Sequence, residues 1–273
     1  FDTDPRHIME RVAGKGSHEQ SHRIMSRTLV WFSCGAASAV CAKVLAGEPS
    51  VEVVYIQPGT RGKTGGEHPD NARFLRDVEA WIGESVTVLR NPRYQDHFDA
   101  FLQRGFIKGR RGALCTRELK REVRMQYQRP DDTHVFGYTA DERARADAFR
   151  ERNPDVRLIT PLIDRGLTKE DCLGLIFSAG IDLPVMYRQG YAHNNCIGCV
   201  KGGMGYWNRI RRDYPSVFET ASLVEREVGH SILKDQGGPV WLDELAPDRG
   251  RMEDEPAISC GLTCQIAAIE INA

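Results

Sequence analysis

The chain has 273 residues, 41% hydrophobic and 27% charged, with a formal net charge of −1. That length suits one large domain, or one domain with a C-terminal appendage. No apolar run approaches the roughly 18 residues a membrane helix needs, and near-neutrality gives no support to a whole-protein electrostatic grip on nucleic acid, although a local basic face stays open.

Residues 1–24 read as a tag or disordered leader, because Lys15-Gly16-Ser17-His18-Glu19-Gln20-Ser21-His22 is polar and aperiodic and Met25 directly precedes the first strand signal. From there strand and helix signals alternate. Residues 28–33 form a continuous apolar run suited to a buried parallel strand, and 36–45 a small-residue helix packed close to the sheet. A second strand is expected over 51–56, closed by Pro58-Gly59. A helix follows over 70–82, with Phe74 and Val78 at helical spacing. Residues 86–89 give a third strand, 97–103 a helical region, 108–112 a basic, glycine-containing stretch, and 117–128 a helix. A fourth strand is expected over 135–138 and a fifth over 158–160, stopped by Pro161. Thr168-Lys169-Glu170-Asp171 reads as a capping box before a helix over 172–179. After Gly190 the pattern turns to Gly, Asn and Cys, then to helices near 206–212 and 217–227, with loops at 235–238 and 246–256.

This alternation predicts a Rossmann-like, doubly wound parallel α/β sheet over 25–190, with a cysteine-bearing C-terminal region, 191–273, packed on it. Ligands on such sheets sit at the carboxyl ends of strands, near the point where strand order reverses. The first strand ends there in Ser33-Cys34-Gly35-Ala36-Ala37-Ser38. Small residues let backbone N–H groups approach an anion, and the next helix adds its positive end. A tight turn without a ligand reads equally well from spacing alone.

An ordered series of segments resembles the phosphoadenosine phosphosulfate (PAPS) reductase branch of the PP-loop, adenine nucleotide alpha hydrolase superfamily. The Ser33–Ser38 run is similar to the PP-loop, with Ala37 where its aspartate usually stands and Cys34 in a glycine-like slot. Gly59-Thr60 with Glu67-His68-Pro69-Asp70-Asn71 resembles the loop and helix after strand two. Cys115-Thr116-Arg117-Glu118-Leu119-Lys120 resembles a Cys-x-x-x-Leu-Lys segment. Gly137-Tyr138-Thr139-Ala140-Asp141-Glu142-Arg143-Ala144-Arg145 resembles the Gly-x-Arg-x-x-Glu-x-x-Arg turn, with Tyr138 for the first arginine. Pro161-Leu162 and the run from Pro184 to Tyr191 complete the series. The resemblance implies nucleotide binding by Ser33, Cys34, Gly35, Ala36, Ala37, Ser38, Gly59, Gly137 and Arg145. It also implies oxyanion contacts from Lys120 and Arg143.

Eight cysteines in a chain expected in the reducing cytoplasm point to metal or catalytic roles ahead of disulfides. Cys196-x2-Cys199 and Cys260-x3-Cys264 have the spacing of ligand or redox pairs. Cys115, Cys196 and Cys199, with the fourth iron open or met by Cys260 or Cys264, resemble the ligand layout of a [4Fe–4S] cluster. The four paired cysteines alternatively suit a structural Zn2+ site, and buried thiols without metal form the third reading. Cys260-Gly261-Leu262 is similar to the motif that carries the reductase nucleophile, with Ser259 and Thr263 replacing its glutamate and histidine. Cys41 and Cys172 are expected in the core, and His193 in an exposed loop.

The leading functional expectation is cysteine- or iron–sulfur-dependent reduction of an adenylylsulfate (APS or PAPS), with a thiol donor such as thioredoxin or glutathione. The alternative is an ATP-dependent, pyrophosphate-releasing sulfurtransferase acting on a nucleic acid, with Mg2+ as an ordinary companion of the nucleotide. A third is a nucleotide- or zinc-binding protein without turnover. No membrane partner is expected.

Overall fold

The structure, a computed structural model, describes residues 26–59, 65–110 and 112–255. Its centre is a five-stranded parallel sheet in the order β3-β2-β1-β6-β7. The strands are β1 (Thr28–Phe32), β2 (Val51–Ile56), β3 (Thr87–Leu89), β6 (Thr133–Val135) and β7 (Arg157–Ile159). β1 is central: Val30 pairs in register with Val53 on one side and Val135 on the other. A strand covered on both faces can be apolar throughout, which explains the unbroken Leu29-Val30-Trp31-Phe32 run.

Alternate residues of β1 enter two different cores. Val30 and Phe32 pack with Val40 and Cys41 of α1 (Ala36–Leu45), Phe74 and Val78 of α2 (Asn71–Ile82), and Cys172. Leu29 and Trp31 pack on the opposite face with Val123, Phe136 and Phe149. Cys41 and Cys172 are fully buried, as the sequence suggests.

The remaining elements follow in chain order. They are α3 (His97–Arg104), the hairpin β4 (Lys108–Gly109) and β5 (Gly112–Ala113), a π-helical stretch Thr116–Arg121, and α4 (Glu122–Tyr127). After β6 come α5 (Arg143–Arg152), α6 (Pro161–Asp164), α7 (Lys169–Ser178), α8 (Val185–Arg188), α9 (Met204–Asp213) and α10 (Pro215–Val228). A hairpin of β8 (Leu233–Asp235) and β9 (Gly238–Val240) follows. A third core joins Phe98, Phe101 and Leu119 to Ile197, Trp207 and Val217. The segment between β3 and β6 therefore shares its interior with the region beyond Gly190.

Several local expectations shift. The fourth strand ends at Val135 because its Phe136-Gly137 continuation leaves the sheet to pass over the end of α1. A Cβ on Gly137 would lie 2.9 Å from the Ser38 nitrogen. The helix expected over 117–128 begins as a π-helix, whose wider turn suits a stretch in which Thr116, Glu118, Leu119 and Lys120 are all buried. In the basic stretch, Lys108 and Gly109 pair antiparallel with Ala113 and Gly112. Residues 235–238 are a hairpin turn, since Leu233 and Val240 on either side are buried. The capping box at α7 is present: Thr168 Oγ1 accepts from the Asp171 nitrogen at 3.1 Å, and the Asp171 carboxylate accepts from the Thr168 nitrogen at 2.9 Å. Among the described residues no helix is long and apolar enough to cross a membrane.

Candidate active site

The strand order reverses between β1 and β6, and a cavity of about 320 Å3 opens at their carboxyl ends. One wall is the 33–38 turn. Ser38 Oγ accepts from the Ser33 nitrogen at 3.1 Å, meets Ser33 Oγ at 3.1 Å and donates to the Gly35 carbonyl at 2.9 Å. Cys34 has φ 54°, the only non-glycine left-handed residue among those described. An L residue there is strained by ~1–2 kcal/mol. Gly35 N-caps the ten-residue α1 with no side-chain cap bond and no acidic residue in the first turn. The helix thus presents its positive end to the cavity. Gly137 forms the opposite wall, and its contact with Ser38 leaves no room for a side chain.

Lys120, Arg145 and Lys169 bring positive charge to this cavity. Arg145 stacks over Tyr138, 5.5 Å from the ring centroid, and pairs with Glu142. The Tyr138 ring thus supports the Arg145 guanidinium through its face. Arg143 lies outside the cavity lining, its guanidinium 3.5 Å from the Ile163 carbonyl. Gly59 also lies outside it. With φ 100° it passes the Gln95 carbonyl so closely that a Cβ would sit 2.0 Å from that oxygen, and its own carbonyl accepts from the Glu67 nitrogen at 3.1 Å.

His193, Asn194 and Asn195 form the third wall, with Tyr187. His193 is half-buried rather than exposed. Burial, with the charges of Lys169 and Arg145, pulls its imidazole down to about 4, so the ring is neutral at pH 7. Asn194 donates through Nδ2 to the Cys34 carbonyl and to Asn71 Oδ1, each at 2.8 Å. Asn71 Nδ2 in turn donates to Glu67 Oε2 at 3.0 Å. Glu67 is buried, accepts from the Tyr55 hydroxyl, and lies 3.9 Å from Lys120 Nζ. Cys34 itself is not an activated thiol. Burial and the nearby Glu67 push it well above the ordinary cysteine range, and its Sγ points to the Asn71 carbonyl at 3.9 Å.

The wall continues directly into the loop Cys196-Ile197-Gly198-Cys199. The Ile197 nitrogen donates to the Gly66 carbonyl at 2.9 Å, beside Glu67. Gly198 has φ 74°, and a Cβ there would meet Val217 Cγ1 at 2.8 Å. The Tyr206 hydroxyl accepts from the Cys199 nitrogen at 2.9 Å and donates to the Cys196 carbonyl at 3.3 Å. Lys108 Nζ donates to the Val200 carbonyl at 2.6 Å. Burial lowers this ammonium, while Cys199 and, more weakly, Cys115 oppose the effect. Cys115 packs against the same core that holds Cys199.

Among the described residues no three His, Cys, Asp or Glu side chains stand together as a metal-holding group. Cys115, Cys196 and Cys199 therefore do not by themselves fit a cluster or a zinc ion. Cys260 and Cys264, both of which the zinc site requires and either of which could meet the fourth iron of a cluster, lie outside the described residues, as do the 1–24 leader and Thr60. The described chain ends close by. The Glu255 carboxylate accepts from the Gly203 nitrogen at 2.6 Å and the Tyr206 nitrogen at 2.8 Å, capping α9 from 49 to 52 positions away.

The sequence signals for Lys169, Tyr187, Asn194 and Glu255 are faint. Asn194 sits in a Gly/Asn/Cys-rich stretch and Glu255 in a loop, and neither carries a periodic pattern. Glu67 and Asn71 stand in the segment similar to the post-strand-two loop, which gives that segment a physical role.

No protein-family model and no curated protein matches the chain. Solved structures similar to it include a phosphoadenylyl-sulfate (PAPS) reductase from Candida auris in a phosphate complex. It is 10% identical, with 70% of this chain and 86% of that one covered and a TM-score of 0.44. Another is the U34-tRNA thiolase NcsA from Methanococcus maripaludis with its [4Fe-4S] cluster, 13% identical over 83% of this chain and 78% of that one, TM-score 0.40. By its own strand order, this chain is a Rossmann-like α/β protein with its cavity at the switch point.

Proposed function

We propose that the chain binds an adenine nucleotide with its phosphates against the 33–38 turn and reduces an adenylylsulfate by cysteine chemistry. One observation carries this reading: the cavity bounded by the 33–38 and 137–145 segments is closed by His193, Asn194 and Asn195, the residues that lead along the chain into Cys196. The α1 amino end supplies fixed dipoles, and Lys120, Arg145 and Lys169 offset the anionic charge. Ala37 presents no carboxylate to the phosphates, which favours an adenylylsulfate over metal-assisted pyrophosphate release.

In this reaction the Cys260 thiolate attacks the sulfur of the adenylylsulfate. A sulfur–sulfur bond forms, the bond from sulfur to the bridging phosphate oxygen breaks, and the adenosine phosphate leaves with that electron pair. A second thiol, from glutathione or thioredoxin, attacks Cys260 Sγ and releases sulfite, becoming a mixed disulfide. The positive groups at the cavity stabilise the leaving phosphate. Neither step is routed through a metal or cluster.

The test is sulfite release from adenylylsulfate or its 3′-phosphorylated form with a thiol donor. Cys260→Ser should abolish release while AMP still binds. If the wild-type chain binds nucleotide but yields no sulfite with any thiol donor, the reductase reading falls. Cys115 packs against the core that contains Cys199, which favours a second reading, ATP-dependent delivery of sulfur to a nucleic acid. RNA- or DNA-dependent release of pyrophosphate from ATP would decide for it.

A further inference from the structure

Glu67 is buried at 2% exposure, yet its carboxylate is the meeting point of three groups. Tyr55 Oη and Asn71 Nδ2 donate to its Oε2, and Lys120 Nζ lies 3.9 Å from its Oε1. Through Asn71 and Asn194 it is linked to the Cys34 carbonyl, the strained point of the 33–38 turn. The neighbouring Gly66 carbonyl holds Ile197 of the cysteine loop. We infer that Glu67 is a positioning residue that sets the Lys120 ammonium at the phosphate end of the cavity.

This inference rests on the nucleotide reading above and deepens it. Lys120 lines the cavity, but its side chain is only 10% exposed. An ammonium so enclosed needs a fixed counter-charge to stay both charged and oriented. Among the described residues, Glu67 supplies its salt bridge. The carboxylate is itself held from two other directions, so it cannot follow a lysine that swings away. A lysine steadied by a glutamate and applied to nucleotide phosphates is the same physical arrangement that protein kinases use. Burial raises the Glu67 carboxyl, while Lys120, Tyr55 and Asn71 pull it back down, as expected of a group whose ionised form depends on all three partners.

The experiment measures binding of ATP and of adenosine to the full chain and to Glu67→Gln, Glu67→Asp, Lys120→Gln and the Glu67→Gln/Lys120→Gln pair. Glutamine keeps an acceptor for Tyr55 and Asn71 but removes the charge. Glu67→Gln should weaken ATP about tenfold, the scale of one charge-assisted contact. Adenosine, which has no phosphate, should be affected less than twofold. The double variant should bind ATP as Lys120→Gln does, since glutamine leaves the Asn71 link to the turn in place and the charge it removes acts through that lysine. Glu67→Asp, which keeps the charge and preserves the fold if glutamine does not, should fall between wild type and Glu67→Gln or, failing that, between wild type and Lys120→Gln. ATP binding by Glu67→Gln within twofold of wild type would overturn the inference, and so would losses that multiply in the double variant. A wild-type chain that binds neither ligand would overturn the nucleotide reading itself, a separate and recognisable outcome.

Discussion

Asn194 reaches back 160 positions to hold the carbonyl of Cys34, the residue whose left-handed backbone shapes the turn at the end of β1. The orientation of the amide is fixed by chemistry. Its Nδ2 faces two acceptors, the Cys34 oxygen and Asn71 Oδ1, and Asn71 is in turn oriented by Glu67. The loop leading to Cys196 is therefore fastened to the anion-facing turn by hydrogen bonds rather than by apolar contact alone.

Asn194→Ala should then have two separable effects. Two buried acceptors lose their donor, which costs ~1–3 kcal/mol of stability. The 33–38 turn also loses an anchor, so ATP should bind several-fold more weakly. Asn194→Asp should be worse than alanine, because carboxylate oxygens would face two carbonyl-type oxygens. Urea unfolding and ATP titration check both effects; an alanine variant as stable as wild type would show that the amide bonds contribute nothing.

Gly137→Ala tests the opposite wall. The added methyl would fall 2.9 Å from the Ser38 nitrogen and 3.2 Å from the Ala37 carbonyl carbon, both backbone atoms with little freedom to retreat. Overpacking of this kind costs ~1–3 kcal/mol. Because the strain falls on the first turn of α1, nucleotide affinity should drop alongside stability. Unfolding and ATP binding measured on the same preparation should move together.

The legible parts of this fold are those whose pattern is local. The Leu29–Phe32 run, the capping box at Thr168 and the small-residue turn after β1 each announce themselves within ten residues. Phe136 and Tyr138 look like strand because they are apolar; only the passage of Gly137 over Ser38 takes them out of the sheet. The β8 and β9 strands are too short for an alternation signal, and what pins them is Glu225, whose carboxylate accepts from the nitrogens of Ile232 and Leu242. Lys120 was visible through its Leu-Lys segment. Its partner Glu67 and the Asn194 anchor depend on contacts between distant segments, which no periodicity encodes.

Stability should fall as the solution is acidified from pH 7 toward pH 4. His134 Nδ1 accepts a hydrogen bond from Trp31 Nε1 at 2.9 Å, a role only the neutral ring can fill. Burial, with Arg124 nearby, pulls His134 from its ordinary value of 6.5 to about 4, and burial does the same to His97. These folded values lie below the unfolded ones. Between about 6.5 and 4 the unfolded chain takes up protons that the native one refuses, and each such proton lowers stability by ~1.4 kcal/mol per pH unit at most. The contribution is complete above pH 6.5 and lost as pH falls through 4. Urea midpoints at pH 7, 6 and 5 should decline, and His134→Gln, which can still accept from Trp31, should decline less steeply.

Glu255 offers a test of the link between the end of the described chain and the cysteine loop. Its carboxylate satisfies two amide groups at the start of α9, where a negative charge is favoured by the helix dipole. Gly203, Gly205 and Gly250 allow this approach: a Cβ on Gly205 would lie 2.5 Å from the Arg251 carbonyl carbon, and one on Gly250 2.5 Å from the Gly205 nitrogen. Tyr206 joins the two features, since its nitrogen donates to Glu255 while its hydroxyl holds the Cys199 nitrogen and the Cys196 carbonyl. Glu255→Ala should cost ~0.5–2 kcal/mol, the usual range for a lost cap. It should also loosen the Tyr206 hydroxyl from the loop, so that Cys199, only 6% exposed, reacts faster with a thiol reagent under native conditions. Mass-spectrometric labelling rates at Cys199, compared with those at the core residue Cys41, distinguish this local release from a general loss of fold, which would accelerate both.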